Sequence, residues 1–134
     1  MRSHADAERY IERTIWSQYE AHGYGMYVVE TPTAHVPMGL CGLVRRDFLD
    51  SPDLGFALFP EWVGQGYAAE AARAVIAHAE SELGIPRLYG IVNGSNRRSI
   101  GLLERLDFRH EGPLWIPPSG PEVERFVRNR PGAA

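Results

Sequence analysis

The stretch WVGQGYAAEAARA, Trp62 to Ala74, sets two glycines one residue apart at the head of an alanine-rich run. Helix-forming residues dominate from Tyr67 to Leu83, and Ala68, Ala72, Val75, Ala79 and Leu83 mark one face, so the run predicts a helix packed along that face. Gly84 and Pro86 end it. The N-terminus of a helix presents backbone N–H groups without intrahelical partners and carries a partial positive charge, so it attracts anions. Gly64 and Gly66 lack the Cβ atoms that would hold a phosphate away, and either tolerates the positive φ that aims successive amides at one point. Ala68 keeps the first turn small. Taken alone, the glycine pair also reads as a plain turn between Pro60 and the helix. It is not a dinucleotide fingerprint, which needs glycine where Ala69 stands, and no Gly-Lys-Ser/Thr follows to make a phosphate loop.

Upstream, Asp53 to Phe59 (DLGFALF) is a strand candidate stopped by Pro60. Gly25–Thr31 and Met38–Arg46 are short β-prone runs joined by TPTAHVP, which predicts an antiparallel pair. From Asp6 to His22 the apolar residues Ala7, Ile11, Ile15 and Tyr19 recur every four positions, with Tyr10 and Trp16 beside them, as in an amphipathic helix ended by Gly23. Downstream, Arg87–Val92 reads as a strand, NGSN as a turn, and Arg98–Leu106 as a helix through Ile100, Leu103 and Leu106. Gly101 inside that helix costs about 1 kcal/mol relative to alanine, which calls for a close contact to explain it. Phe108–Gly112 and Val123–Arg128 complete the pattern as strands joined by PLWIPPSGP. The order predicts a mixed α/β sheet covered by helices, without internal repeats.

The chain has 134 residues, enough for one domain with its own core, and its 44% apolar and 23% charged residues are ordinary for a globular protein. A net charge of -3 gives no global basic field. Arg97, Arg98, Arg105 and Arg109 make one locally positive segment, so a small anion fits as ligand while nucleic acid is not expected. Cys41 is alone, which excludes an internal disulfide, and no Cys/His spacing resembles a metal site. No stretch approaches the ~20 apolar residues of a membrane span and no apolar export signal is visible, so a cytoplasmic protein without a membrane partner is expected.

The segment DLGFALFPEWVGQGYAAEAARAVIAHA resembles the acetyl-CoA-binding segment of the GNAT acetyltransferase superfamily, most closely its ribosomal-protein N-acetyltransferase-like (RimJ/RimL type) branch. A second motif about thirty residues on is similar too: Val92, Asn93, Asn96 and Ser99, then Leu103, Glu104, Arg105, Leu106, Phe108 and Gly112. The resemblance runs from roughly Asp6 to Arg128. It implies one GNAT-like domain with a mostly antiparallel twisted sheet flanked by helices, the family's first strand missing. It also implies acetyl-CoA as cofactor, held at its pyrophosphate by the amides of Gly64, Gln65, Gly66, Tyr67 and Ala68. Val63 stands where relatives commonly carry glutamine or arginine, a change expected only to weaken that binding. The strand from Asp53 would splay from Arg87–Val92, and the pantetheine arm would lie in the gap as a pseudo-strand along Phe56 and Leu58. Asn96 would meet that arm, or simply cap the helix. Arg97 and Arg98 would meet the adenosine phosphates.

Forming an amide from a thioester needs a neutral amine, a polarised thioester oxygen and a proton for the departing sulfur. The resemblance implies an amide near Phe56 or Ala57 for the oxygen. Many relatives protonate sulfur with a tyrosine that falls here on Leu103, so Ser99 becomes the candidate acid; its other reading is a first-turn helix hydroxyl. Asp53 is the candidate base, set against a merely solvated acid at a strand mouth, with Glu61 and His110 behind it and a water relay as the alternative. Glu70 is expected to act on the helix dipole, Cys41 to be a buried inert thiol, and Trp115 to cover core. With the first strand missing, GMYVVET would be an exposed edge, which predicts a homodimer through that edge. A primary amine on a peptide N-terminus or a small molecule is the expected acceptor, and a non-catalytic acyl-CoA-binding module is the alternative.

Overall fold

The computed structural model describes residues 21–130. The expected helix Asp6–His22 lies outside them, apart from Ala21 and His22. Six strands and two long helices follow: β1 (Met26–Glu30), β2 (Pro37–Val44), β3 (Asp53–Leu58), α1 (Tyr67–Ser81), β4 (Arg87–Val92), α2 (Arg97–Arg105), β5 (Arg109–Trp115) and β6 (Glu122–Asn129). They form one sheet in the order β1-β2-β3-β4-β6-β5. Every neighbouring pair is antiparallel except β3 and β4, which run parallel because α1 carries the chain back across the sheet between them. This is the mixed α/β architecture that the sequence predicts.

The main core is built where both helices meet one face of the sheet. Ala72, Val75, Ile76 and Ala79 of α1 and Leu102, Leu103 and Leu106 of α2 close on Cys41, Leu43, Leu54, Leu88 and Phe126. Small alanines let α1 approach the strands, and each leucine buried there stabilises the fold by roughly 1.5–3 kcal/mol. A Cβ on Gly90 would stand 2.8 Å from a methyl of Leu103, so the glycine in β4 is what admits that leucine. Gly42 has the same role for backbone: a Cβ there would meet the Gly25 carbonyl oxygen at 2.2 Å, just before β1 pairs with β2.

Two boundaries and one expected contact differ from the sequence pattern. β2 ends at Val44, not Arg46, because Arg46 leaves the ladder and binds Asp53. β5 runs on through Pro113 to Trp115, since it is the last strand of the sheet and its missing N–H costs no bond on the open side. The close contact expected at Gly101 is absent: a Cβ there would meet nothing within 4 Å.

Candidate functional site

The parallel pair β3 and β4 shares a single register pair, Asp53 with Tyr89. The Tyr89 amide donates to the Pro52 carbonyl at 2.9 Å and reinforces that point. Toward their C-terminal ends no further ladder pair joins the two strands, although β3 stays fully paired to β2 through Gly39–Leu58 and Leu40–Ala57. From Leu54 onward, therefore, the edge of β3 that faces β4 is open to an added strand.

Past β3 the chain makes a short turn of 3-10 helix at Pro60–Trp62 and enters α1 through Gly64 and Gly66. Both glycines are left-handed, at φ 84° and 85°, a conformation that any other residue adopts only under strain. Gly66 is the N-cap of α1 and no side chain caps the helix there. Its carbonyl accepts the first helical bond from Glu70 at 3.1 Å, so the N–H groups of the opening turn have no side-chain acceptor. The space before them is clear: a Cβ on Gly66 would meet nothing within 4 Å, and one on Gly64 only the Arg98 guanidinium at 3.2 Å. Gln65 braces the turn by donating to the Glu61 carbonyl at 2.8 Å, and the Trp62 and Tyr67 rings meet edge-on at 5.7 Å.

These parts surround a cavity of about 480 Å³. Phe56, Ala57 and Leu58 of β3 form one wall, Val63, Gly64, Gly66, Ala68 and Ala69 the entrance to α1, and Asn96, Arg98, Ser99, Leu102 and Arg105 the α2 side. The Asn96 side-chain oxygen accepts from the Ser99 amide at 3.1 Å, so this residue caps α2 and lines the cavity together. Ser99 brings the one hydroxyl side chain among the lining residues.

Nine of the eleven expected cofactor residues thus line one cavity: Phe56, Leu58, Val63, Gly64, Gly66, Ala68, Asn96, Arg98 and Ser99, the last also expected as acid. Gln65 and Tyr67 are outside the lining, their side chains spent on the turn, and Arg97 is exposed outside it. Asp53 is not a solvated acid at a strand mouth but 3% exposed at the closed end of β3, with the Arg46 guanidinium nitrogen Nε at 3.1 and 3.2 Å from its two oxygens. Burial pushes its carboxyl above the ordinary range, and Arg46 opposes that shift. No carboxylate or imidazole lines the cavity among the described residues: Glu61 is exposed on the preceding turn and His110 binds Glu124 at 3.2 Å. Leu103 is fully buried against Gly90, while Leu102 faces the cavity. Ala69 and Leu102 are lining residues that the sequence pattern did not single out, while Ala57 and Arg105 were named there only for a backbone amide and for local charge. Helical spacing carries the signal for Leu102, three residues beyond Ser99.

The described residues hold no cluster of His, Cys, Asp and Glu suited to a metal, and no helix among them is long and apolar enough to cross a membrane. The family model for the acetyltransferase (GNAT) domain matches residues 1–109, and the chain belongs to that family. It is 25% identical over 109 residues to the protein YkkB of Bacillus subtilis (strain 168), a match covering 77% of this chain and 63% of YkkB. The chain therefore spans less than two thirds of that curated relative. In structure it is similar to an acetyltransferase from Agrobacterium tumefaciens str. C58, with a TM-score of 0.80 and 26% identity over 93% of this chain and 72% of the other. The ribosomal-protein-S5-alanine acetyltransferase of Vibrio fischeri shares the fold, at a TM-score of 0.76 and 19% identity over 100% of this chain and 79% of the other.

Proposed function

We propose that this GNAT-family chain binds acetyl-CoA in the cavity between β3, α1 and α2 and transfers the acetyl group to a primary amine. The observation that carries this is the meeting, in one space, of an uncapped helix N-terminus with two left-handed glycines, an open strand edge and the Arg98 guanidinium. Those groups fit the cofactor part by part: amides and a cation for a diphosphate, a strand edge for an amide-bearing arm, and apolar Leu58 and Leu102 beside it. When bound, the cofactor supplies an acyl thioester as the electrophile.

The chain's own residues do the rest. The amides from Gly64 through Gln65, Gly66, Tyr67 and Ala68 hold the diphosphate, which is why Gln65 and Tyr67 need not line the cavity with side chains. Val63 adds apolar cover and no charge. The main chain of Phe56 and Leu58 would pair with the arm, and an N–H at Phe56 or Ala57 would be the donor for the thioester oxygen. Asn96 spends its oxygen on the cap and keeps its amide N–H₂ to donate. Ser99, the hydroxyl side chain of the lining, would give a proton to the leaving sulfur. Asp53 acts in this scheme through position, fixing with Arg46 and the Tyr89 pair the point from which the strands separate. With no carboxylate or imidazole in the lining among the described residues, the amine would lose its proton through water.

The neighbour that acetylates a ribosomal-protein alanine favours a peptide N-terminal amine as acceptor, in keeping with the expected branch. The test is thiol release from acetyl-CoA with a panel of N-terminal peptides and small amines, expected to be amine-dependent. The lining's lack of a side-chain base favours a second reading, a non-catalytic acyl-CoA-binding module. Tight acetyl-CoA binding without release on any amine selects it over the enzyme.

We propose in addition that the chain forms a homodimer through β1. That strand pairs with β2 alone among the described strands, and Val28 at its centre is 58% exposed, a large apolar side chain on the rim of the sheet. Cytoplasmic residence belongs to the same proposal.

A further inference from the structure

The gap between β3 and β4 interrupts the sheet, so it has two faces. The buried residues of α1 and α2 close on the face that carries Leu54, Leu88 and Phe126. Along β3, Leu54 and Phe56 pack on that side, so alternation turns Gly55 and Ala57 to the other, away from the buried residues of both helices. Ala57 lines the cavity all the same, so the cavity takes in the open edge of β3 and not only its helix side.

On this second face one row crosses three strands. Met26 of β1 is the register partner of Gly42 in β2, and Gly42 that of Gly55 in β3. With glycine at both inner positions, the Met26 side chain crosses β2 and ends at Gly55, where a Cβ would stand 3.3 Å from its sulfur and 3.4 Å from its terminal methyl. Past the single register pair of Asp53 with Tyr89, Gly55 is the first residue of β3 that faces this side. The thioether therefore lies beside the point where the gap opens, next to the residue that precedes Phe56.

Resting on the transfer reaction proposed above, we infer that Met26 is a specificity-determining residue for the acceptor, selecting amines carried on an unbranched carbon. A carbonyl that accepts from the N–H of Phe56 or Ala57 lies near the plane of the sheet, as strand hydrogen bonds do. A nucleophile reaches a carbonyl carbon from above or below its plane. The helix side is walled by Ala68, Ala69 and Leu102, which leaves the face of Gly55 and Met26 for the amine. The nitrogen bonds to the acyl carbon, and the C–S bond breaks with its electron pair going to sulfur. Sulfur takes a proton, and the surplus proton of the nitrogen passes to water. The carbon that carries the amine then stands at Gly55, against the thioether. A methylene carbon fits there, whereas each substituent on it has to displace the sulfur and methyl of Met26. Methionine is unbranched and soft, so the selection is graded and not absolute.

The experiment is steady-state kinetics with acetyl-CoA and three peptides that differ only in beginning with glycine, alanine or valine, beside calorimetric acetyl-CoA binding. For the native chain kcat/KM is expected to fall from the glycine to the valine peptide by about tenfold or more, the scale on which a pocket tells methyl groups apart. Met26→Ala is expected to recover most of that loss for the valine peptide, with the glycine peptide and acetyl-CoA affinity unchanged. Gly55→Ala adds a methyl group against the thioether and sharpens the preference. A Met26→Ala chain that keeps the native ratio between the peptides overturns the inference and leaves the transfer reaction standing. If that variant no longer binds acetyl-CoA, Gly55→Ala decides, and an unchanged preference there overturns the inference. Turnover of no peptide by a native chain that binds acetyl-CoA overturns the peptide-amine reading and this inference with it.

Discussion

Ser99 and Asp53 show what a single residue's surroundings decide. Both are polar residues in recognisable motifs, yet one faces the cavity and the other is sealed at the end of β3. Sequence carried the identity of each and the cap of Asn96 on Ser99, because capping depends on spacing along one helix. It did not carry the burial of Asp53, which depends on Arg46 folding back across a turn to meet it. Ser99→Ala keeps the backbone N–H that binds Asn96, so the expected outcome is unchanged acetyl-CoA affinity with kcat down on the order of a hundredfold. Steady-state kinetics beside calorimetry checks this, and an unchanged kcat removes Ser99 from the chemistry. Arg46→Gln tests the buried pair. Because burial raises the Asp53 carboxyl in the fold, its ionisation destabilises the fold as pH rises through that raised value, and Arg46 offsets the effect. Discounted for an Arg46 side chain that is 42% exposed, its loss should cost about 1–3 kcal/mol at pH 7. The cost should shrink as pH falls through the raised range and be lost by pH ~3, where Asp53 is largely protonated in both states. Urea unfolding at the two pH values checks it, and a pH-independent difference contradicts it.

At the level of elements, the helices were the most legible parts. The pattern Ala68, Ala72, Val75, Ala79 places α1 within two residues of its observed end, because a one-sided apolar stripe and the Gly66 and Gly84 punctuation act locally. β5 was the least legible. Pro113 argues against a strand in any local window, and only the strand's place at the end of the sheet makes it acceptable. The splay of β3 from β4 is likewise a property of the pair, since either strand alone reads as ordinary. Gly101 marks the reverse case, a local cost with no tertiary contact to explain it. Gly101→Ala is therefore expected to raise stability by about 0.5–1 kcal/mol, read as a higher denaturant midpoint with an unchanged slope. A destabilised variant would reveal crowding around α2 that the structure does not show.

At the scale of the molecule, one sheet and two long helices among the described residues set an anion-seeking helix end, an open strand edge and two arginines around one cavity. The order of elements, and with it the fold, was readable because glycine or proline stands at many of the element ends, as at Pro60, Gly66, Gly84 and Pro86. How the two ends of the sheet meet other chains is a property of surface and not of pattern. With β1 on the rim and Val28 exposed, light scattering at micromolar concentration is expected to give a dimer, and Val28→Lys to give a monomer. A native monomer at that concentration contradicts the dimer. The central claim is that the main-chain N–H groups at the start of α1 hold the cofactor's diphosphate. Its most direct test is calorimetric titration of acetyl-CoA into the native chain and into the folded Gly64→Val/Gly66→Val variant. The account predicts saturable one-site binding that weakens at least about tenfold in the variant; a native chain that does not bind, or a variant that binds equally well, contradicts it.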